Sequence, residues 1–246
     1  MILHEKHKKF RQKVKDFADN EVAPRAKELD IKHEFPWDLV KRMAELELLA
    51  LYVPKEYGGA GFDVLSYAIA VEEIGRVCGS TGIFLAAHSS LGVYPIFVAG
   101  TEEQKQKYLI PLARGEKIGS FGLTEPNAGS DAAGTQTTAK LVGDEYVVNG
   151  TKRFITSGSV ADIIIFTATI TPVDAQTREI SSIAIANETK SKPEPPYSSG
   201  TTTPKRPNSA IFFMLFQGKS PDLSISGATG ANSASTNFLT WSCNIF

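Results

Sequence analysis

The sequence predicts an α+β protein, with an all-helical part followed by an antiparallel β part. Three observations predict it. Up to about residue 115, apolar residues recur at intervals of three and four, the period of a helix face. Between about 118 and 170 they alternate, or run in short β-branched blocks between turn residues, as paired strands do. Beyond 170 neither pattern persists. Ser and Thr make up 18 of the first 170 residues but 21 of the last 76, and those 76 hold 7 of the 13 prolines. Such a segment buries too little apolar surface to offset its ordering entropy. The chain therefore divides into a helical domain at 1–115, a partial β-domain at 116–186, and a divergent, poorly ordered Ser/Thr/Pro-rich tail at 187–246.

In the helical part, Phe10, Val14 and Phe17 form one face of a first helix, which runs toward Leu29 with Pro24 as a kink or break. Pro36 and Trp37 restart a helix whose stripe is Val40, Met43, Ala44 and Leu48. Residues 53–63 are a Gly- and Pro-rich loop. Tyr67, Val71, Ile74 and Cys78 mark the next helix, which Gly79–Gly82 breaks. Residues 83–98 are apolar on nearly all sides, as a buried helix is, and Thr101–Gln104 is a capping box.

In the β part, Thr137, Ala139 and Leu141 share a strand face, and Tyr146–Val148 follows a turn. Lys152–Thr156, Ile163–Phe166 and Ile180–Ala186 read as further strands. The run Ile211–Phe216 is apolar in polar surroundings, an aggregation hazard without a partner surface.

Composition narrows the function. The 246 residues carry a net charge of -1, so the basic footprint of a nucleic-acid or anionic-membrane binder is missing. Two cysteines, Cys78 and Cys243, exclude a disulfide scaffold and a Cys-based zinc site. No run approaches the ~18 apolar residues of a membrane span, and Met1–Lys9 has no signal-like apolar core. His4 and His7 read as surface residues without a third ligand, and His88 as a satisfied core or interface residue. Gly218–Ser220 lacks the first glycine of a P-loop, since residue 213 is Phe, and Glu72–Glu73 reads as a helix face.

The string Gly122-Leu123-Thr124-Glu125-Pro126-Asn127-Ala128-Gly129-Ser130-Asp131 is followed by Gly143–Lys152 and by Phe154-Ile155-Thr156-Ser157-Gly158. With the loop Val53–Gly59 and the helix segment Glu72–Arg76, it resembles the acyl-CoA dehydrogenase family in order over about residues 5–170. The short-chain, butyryl-type branch is the most similar. The resemblance implies a helical domain, a barrel-like middle β-domain and a C-terminal four-helix bundle, with FAD between middle domain and bundle. It implies α,β-dehydrogenation of an acyl-CoA thioester to a trans-2-enoyl-CoA, with electrons passed to an electron-transfer flavoprotein.

By that resemblance Phe121, Leu123, Thr124, Gly129, Ser130, Phe154, Ile155 and Thr156 bind the cofactor, and Ser130 also touches acyl-CoA. A turn such as Asn127–Ser130 exposes N–H groups suited to an anion. A threonine hydroxyl can donate to and accept from a ring edge. Many members carry Trp where this chain has Phe154. Taken singly, each of these residues reads as an ordinary turn, cap or strand-core position; order and spacing lift them above that.

The family's base is a Glu of the C-terminal bundle, and the sequence ends at Phe246. Glu188 and Glu194 are the glutamates in the tail, and no catalytic residue or metal ligand is assigned. The matched pattern stops near Asn187, as expected of a truncated, frame-shifted or mis-spliced reading of a longer gene. The readings that stay open are an acyl-CoA dehydrogenase, an inactive homologue that binds flavin weakly or docks on a full-length subunit, and an acyl-CoA oxidase-like or nitroalkane oxidase-like relative. The family's homo-oligomer forms largely through the bundle, so the oligomeric state of this chain stays open. The compartment expected is a bacterial cytoplasm or a mitochondrial matrix.

Overall fold

The computed structural model of the chain describes the backbone of residues 3–142, 145–170, 179–187 and 210–215, and side chains within 3–140 and 146–170. The turn at 143–144, Glu188, Glu194, Gly218–Ser220 and Cys243 lie outside the described residues. The chain forms two compact units, Met1–Ser120 and Phe121–Phe246. The first is helical and the second is built on a sheet, an α+β arrangement.

In the first unit, α1 (Glu5–Phe17) turns His7, Phe10, Val14 and Phe17 inward. His7 is thus not a surface residue: it is 4% exposed, and its Nε2 lies 2.9 Å from Asp63 Oδ2. It sits one turn from Phe10 on the apolar face, a place open to histidine only with a polar partner. At Pro24 the helix does not stop. A π turn, Ala18–Val22, carries it into α2 (Ala23–Lys32). Proline lacks an N–H and its ring crowds the carbonyl four residues back; the wider π turn relieves both. α3 (Trp37–Glu45) buries Leu39, Val40 and Met43.

α4 (Val64–Val77) is capped by Asp63, whose carboxylate accepts from Ser66 N at 2.9 Å. Lys6, His7 and Ser66 together hold that carboxyl well below the usual carboxylate range. The buried face of α4 is Ile69, Ala70, Glu73 and Ile74, shifted from the expected stripe. Glu73 can lie inside because Arg11 and Arg76 pair with it at 2.8 and 3.2 Å. The break after α4 is Cys78 alone, and Gly79–Gly82 forms the first turn of α5 (Gly79–Ala87). The glycines serve a close crossing: a Cβ on Gly82 would lie 2.6 Å from Gly75 Cα.

α5 continues through a second π segment, His88–Val93, into α6 (Tyr94–Ala99), which carries Pro95 at its start. The continuous helix Gly79–Ala99 has 21 residues, and its most apolar 18-residue stretch has a mean hydropathy of 1.5. It therefore does meet the length and hydropathy of a membrane span, contrary to the expectation from uninterrupted apolar runs. Its Ser, His and Gly residues break the runs, and its Ile, Leu, Phe and Val keep the mean at that of a span. The expectation of burial on all sides also fails, since Ile83, Leu91, Tyr94 and Val98 are 40–60% exposed. α7 (Glu102–Gln104) opens on the expected capping box: Thr101 Oγ1 accepts from Gln104 N at 3.3 Å and Gln104 Oε1 from Thr101 N at 2.9 Å. A third π segment, Lys105–Leu109, precedes α8 (Ile110–Ala113) and its Pro111.

The chain passes into the second unit within β1 (Gly119–Gly122), and that unit carries β2 (Thr138–Val142), β3 (Glu145–Asn149), β4 (Ile163–Ile170), β5 (Glu179–Asn187) and β6 (Ala210–Leu215). They form one sheet in the order β3-β2-β4-β5-β6, with β1 on β4. The sheet is mixed rather than wholly antiparallel: β2 meets β4 in parallel at Thr138↔Thr169 and Ala139↔Ile170. Phe166, 1% exposed, packs with Ala139, Val148 and Ala168 as its core. Full burial of such a side chain contributes about 1.5–3 kcal/mol. The apolar run after Ala210 is not left alone, since β6 pairs antiparallel with β5 from Ser182↔Leu215 to Asn187↔Ala210.

Candidate functional site

The site residues expected from sequence fall on two segments of the second unit, the exit of β1 and the stretch after β3. After Gly122 the chain leaves the sheet and folds a tight loop, in which Glu125 N–H donates to Ala128 O at 2.7 Å. The second segment is a chain of turns, not the strand expected at Lys152–Thr156. Phe154 and Ser157 have φ of 56° and 61°, and Gly158 N–H donates to Ile155 O at 2.9 Å. Residues at such φ cannot continue a strand, and a bulky residue there pays roughly 1–2 kcal/mol.

A buried ion pair ties the segments together. Lys152 Nζ donates to Leu123 O at 3.0 Å, Glu125 Oε1 at 2.7 Å and Thr167 Oγ1 at 2.9 Å, using all three of its N–H bonds. Glu125 Oε1 also accepts from Thr137 N and Thr137 Oγ1, at 3.0 and 2.6 Å, and Oε2 accepts from Gln136 N at 2.6 Å. Side-chain exposure is 2% for Lys152 and 3% for Glu125. Burial pushes the Glu125 carboxyl up, but hydrogen bonds from Lys152, Thr137 and Gln136 outweigh it and hold the group at about 2. Burial pulls Lys152 down, opposed by Glu125. One residue further on, Arg153 N–H donates to Thr124 O at 2.7 Å. Gly150 lets the chain pass this cluster, since a Cβ there would lie 2.2 Å from Thr137 Oγ1.

The eight expected residues are displayed unequally. Phe121, Leu123, Thr124 and Thr156 are half-buried, and Gly129 and Ser130 are exposed. Phe154 is 66% exposed. Ile155 is 8% exposed, which leaves its backbone rather than its side chain for contact. Sequence reasoning missed the roles of Glu125, Lys152 and Thr137. The signal was weak: Glu125 and Lys152 are 27 residues apart, and nothing local requires either to be buried. Gly150, beside an apolar alternation, was the nearest hint, since glycine there can mark close backbone approach.

The profile described as acyl-CoA dehydrogenase, N-terminal domain, matches residues 4–116, and that described as acyl-CoA dehydrogenase, middle domain, matches residues 120–211. The chain belongs to the acyl-CoA dehydrogenase family. Among acyl-CoA dehydrogenases, the short-chain specific enzyme of Clostridium acetobutylicum is 58% identical over 158 residues, 64% of this chain and 42% of that protein. The three-dimensional structure of butyryl-CoA dehydrogenase from Megasphaera elsdenii superposes with a TM-score of 0.70 at 39% identity, covering 77% of this chain and 50% of the other. An acyl-CoA dehydrogenase complexed with FAD from Bacillus anthracis gives a TM-score of 0.68 at 40% identity, over 76% and 31%. The chain thus spans about half the length, or less, of the acyl-CoA dehydrogenases named here. The middle-domain match runs past Asn187, where the family pattern was expected to stop, and takes in the start of β6.

Proposed function

We propose that this chain supplies the flavin- and thioester-facing part of an FAD-dependent acyl-CoA dehydrogenase for short-chain substrates, which forms trans-2-enoyl-CoA. The observation that carries this reading is Phe154. Its ring is 66% exposed on a backbone of φ 56°, one residue from the hydrogen bond that joins Arg153 to Thr124. A large ring displayed at a backbone cost is a functional feature more often than a structural one. Together with the half-buried Thr124 and Thr156 of the same two segments, it fits a flat group with an apolar face and a polar edge, which an isoalloxazine is.

Phe121, Leu123, Thr124, Gly129, Ser130, Phe154, Ile155 and Thr156 would hold the FAD. Bound FAD supplies a two-electron acceptor. Phe154 covers an apolar face and keeps water from it. Thr124 and Thr156 present hydroxyls to the polar edge, and donors fixed in advance stabilise developing charge without reorganising. The exposed Gly129–Ser130 turn offers N–H groups to an anionic portion of the ligands, and the Ser130 hydroxyl binds acyl-CoA. The base is assigned to no described residue; the resemblance places it in a C-terminal bundle, a region neither matched segment covers. The same reading carries a barrel-like curl of the middle sheet, an electron-transfer flavoprotein as acceptor, no membrane span, and a bacterial cytoplasm or mitochondrial matrix as the compartment.

Titration of the purified chain with FAD, followed by flavin fluorescence, tests this. Saturable quenching is expected, weakened about tenfold or more in Phe154→Ala. Absence of saturable binding, or a Phe154→Ala variant that binds as well as the parent, overturns it. Butyryl-CoA-dependent dye reduction by this chain would show that it contains a base after all.

A further inference from the structure

The flavin reading leaves unexplained why the middle domain buries a full ion pair behind its display segments. Glu125 and Lys152 are 5% and 2% exposed, so neither presents itself to a ligand that lies on the Phe154 ring. An ion pair this deep is weak evidence for stability, because desolvation offsets the mutual attraction. What the pair does hold is geometry. The ammonium fixes the Leu123 carbonyl, the Glu125 carboxylate and Thr167 of β4 around one atom. The carboxylate in turn fixes the backbone N–H groups of Gln136 and Thr137, closing residues 125–137 into a loop on one side chain. Thr124 lies between two of these anchors, and Phe154 lies two residues beyond Lys152.

We propose that Glu125 and Lys152 are positioning residues, which hold the Thr124 and Phe154 segments in register as one flavin-binding surface. The proposal rests on the flavin reading above. A merely structural pair would stabilise the whole unit; a positioning pair governs the two segments and the ligand they share.

The test compares Lys152→Met with Val148→Ala, a truncation in the sheet core that removes no hydrogen bond of the ion pair. Amide hydrogen exchange is measured across the chain, and FAD affinity by flavin fluorescence with the visible circular dichroism of the bound flavin. In Lys152→Met, exchange quickens at 123–128 and 152–156 while β2–β4 stay protected. FAD affinity falls about tenfold or more, and the dichroism of the remaining bound flavin changes shape. In Val148→Ala the sheet exchanges faster and FAD affinity stays within about twofold. Equal losses of affinity in the two variants overturn the proposal, and so does unchanged exchange at both segments in Lys152→Met. If Lys152→Met does not fold, Thr167→Val removes one acceptor of the ammonium and keeps both charges. A larger loss of FAD affinity than in Val148→Ala then upholds the proposal, and an equal or smaller loss overturns it. If the parent chain binds no FAD, the flavin reading fails by itself. Quickened exchange confined to the two segments would still uphold the clamp, and unchanged exchange would overturn it.

Discussion

His88 makes the helical unit acid-sensitive. It is fully buried in the π segment between α5 and α6; its Nδ1 accepts from Gly119 N at 3.1 Å, and its Nε2 faces Leu112 O at the same distance. Only the neutral ring with its proton on Nε2 satisfies both contacts, and a proton on Nδ1 would set donor against donor. Burial pushes the group down to about 4 from an ordinary 6.5, and the Leu112 carbonyl only partly opposes it. Because the unfolded chain binds the proton more readily, stability is fully present above about pH 6.5 and is lost as pH falls toward 4. A shift of about 2.5 units corresponds to about 3 kcal/mol in all, of which about 2 kcal/mol is gone by pH 5. Urea unfolding at pH 7.5, 6 and 5 measures this in the parent and in His88→Gln, whose amide can accept and donate without titrating. His88→Gln is expected to be less stable at pH 7.5, through imperfect geometry, and to lose about 2 kcal/mol less than the parent between pH 7.5 and 5. Parallel losses in the two proteins would refute the reasoning.

Three further outcomes follow from the packing. Gly82→Ala places a Cβ 2.6 Å from Gly75 Cα, so α4 and α5 must separate, at about 1–3 kcal/mol in chemical denaturation. Thr101→Ala removes the half of the capping box that the Thr101 hydroxyl accepts, leaves the backbone half, and costs about 1 kcal/mol by the same measurement. Phe166→Ala empties the sheet core and costs about 3–5 kcal/mol, whereas Phe154→Ala leaves stability within about 0.5 kcal/mol. Thermal melts of the two variants separate a core ring from a displayed one, and equal losses would contradict the exposure of Phe154.

The order of helices and strands was legible wherever one face of one element decides burial. Phe10, Val14 and Phe17 lie inside α1 as their spacing predicts, and Thr101 and Gln104 form their box because both partners are three residues apart. Legibility failed where a distant group changes what a position tolerates. His7 reads as surface until Asp63, 56 residues away, supplies its partner. Glu73 reads only as part of a helix face until Arg11 arrives from another helix. The candidate site shows the same division. Its expected residues sit in one contiguous string and one short segment, and the family resemblance singled them out. Its supports, Glu125 and Lys152, pair across 27 residues, and no local pattern marks a lysine that will be buried. The segment at 152–156 was misread for a related reason: alternation suggests a strand, but the inward turn of Lys152 and the left-handed Phe154 override it.

Three of the prolines of the helical unit make one argument. Pro24, Pro95 and Pro111 each stand at the start of a helix that continues from a π segment of five or six residues. A proline in an α-helix interior costs about 3 kcal/mol when the carbonyl behind it is crowded and unpaired. Widening the preceding turn keeps the axis continuous, but the extra residue per turn rotates every later side chain relative to the earlier ones. In the helix from Gly79 to Ala99 this rotation has a visible use. His88 and Ser89 lie in the widened segment, where the His88 ring reaches Leu112 and Gly119 and Ser89 Oγ donates to Leu49 O at 2.8 Å. Tyr52 and Tyr67 donate their hydroxyls to the carbonyls of Ser89 and Ala86 at 2.6 and 3.2 Å. A helix that meets the length and hydropathy of a span is thereby committed to polar partners within its own unit. Those bonds would have to be broken for it to enter a hydrocarbon layer, and there the groups would go unsatisfied at several kcal/mol each. The polar residues that its widened turn presents tie this apolar helix to the rest of its unit.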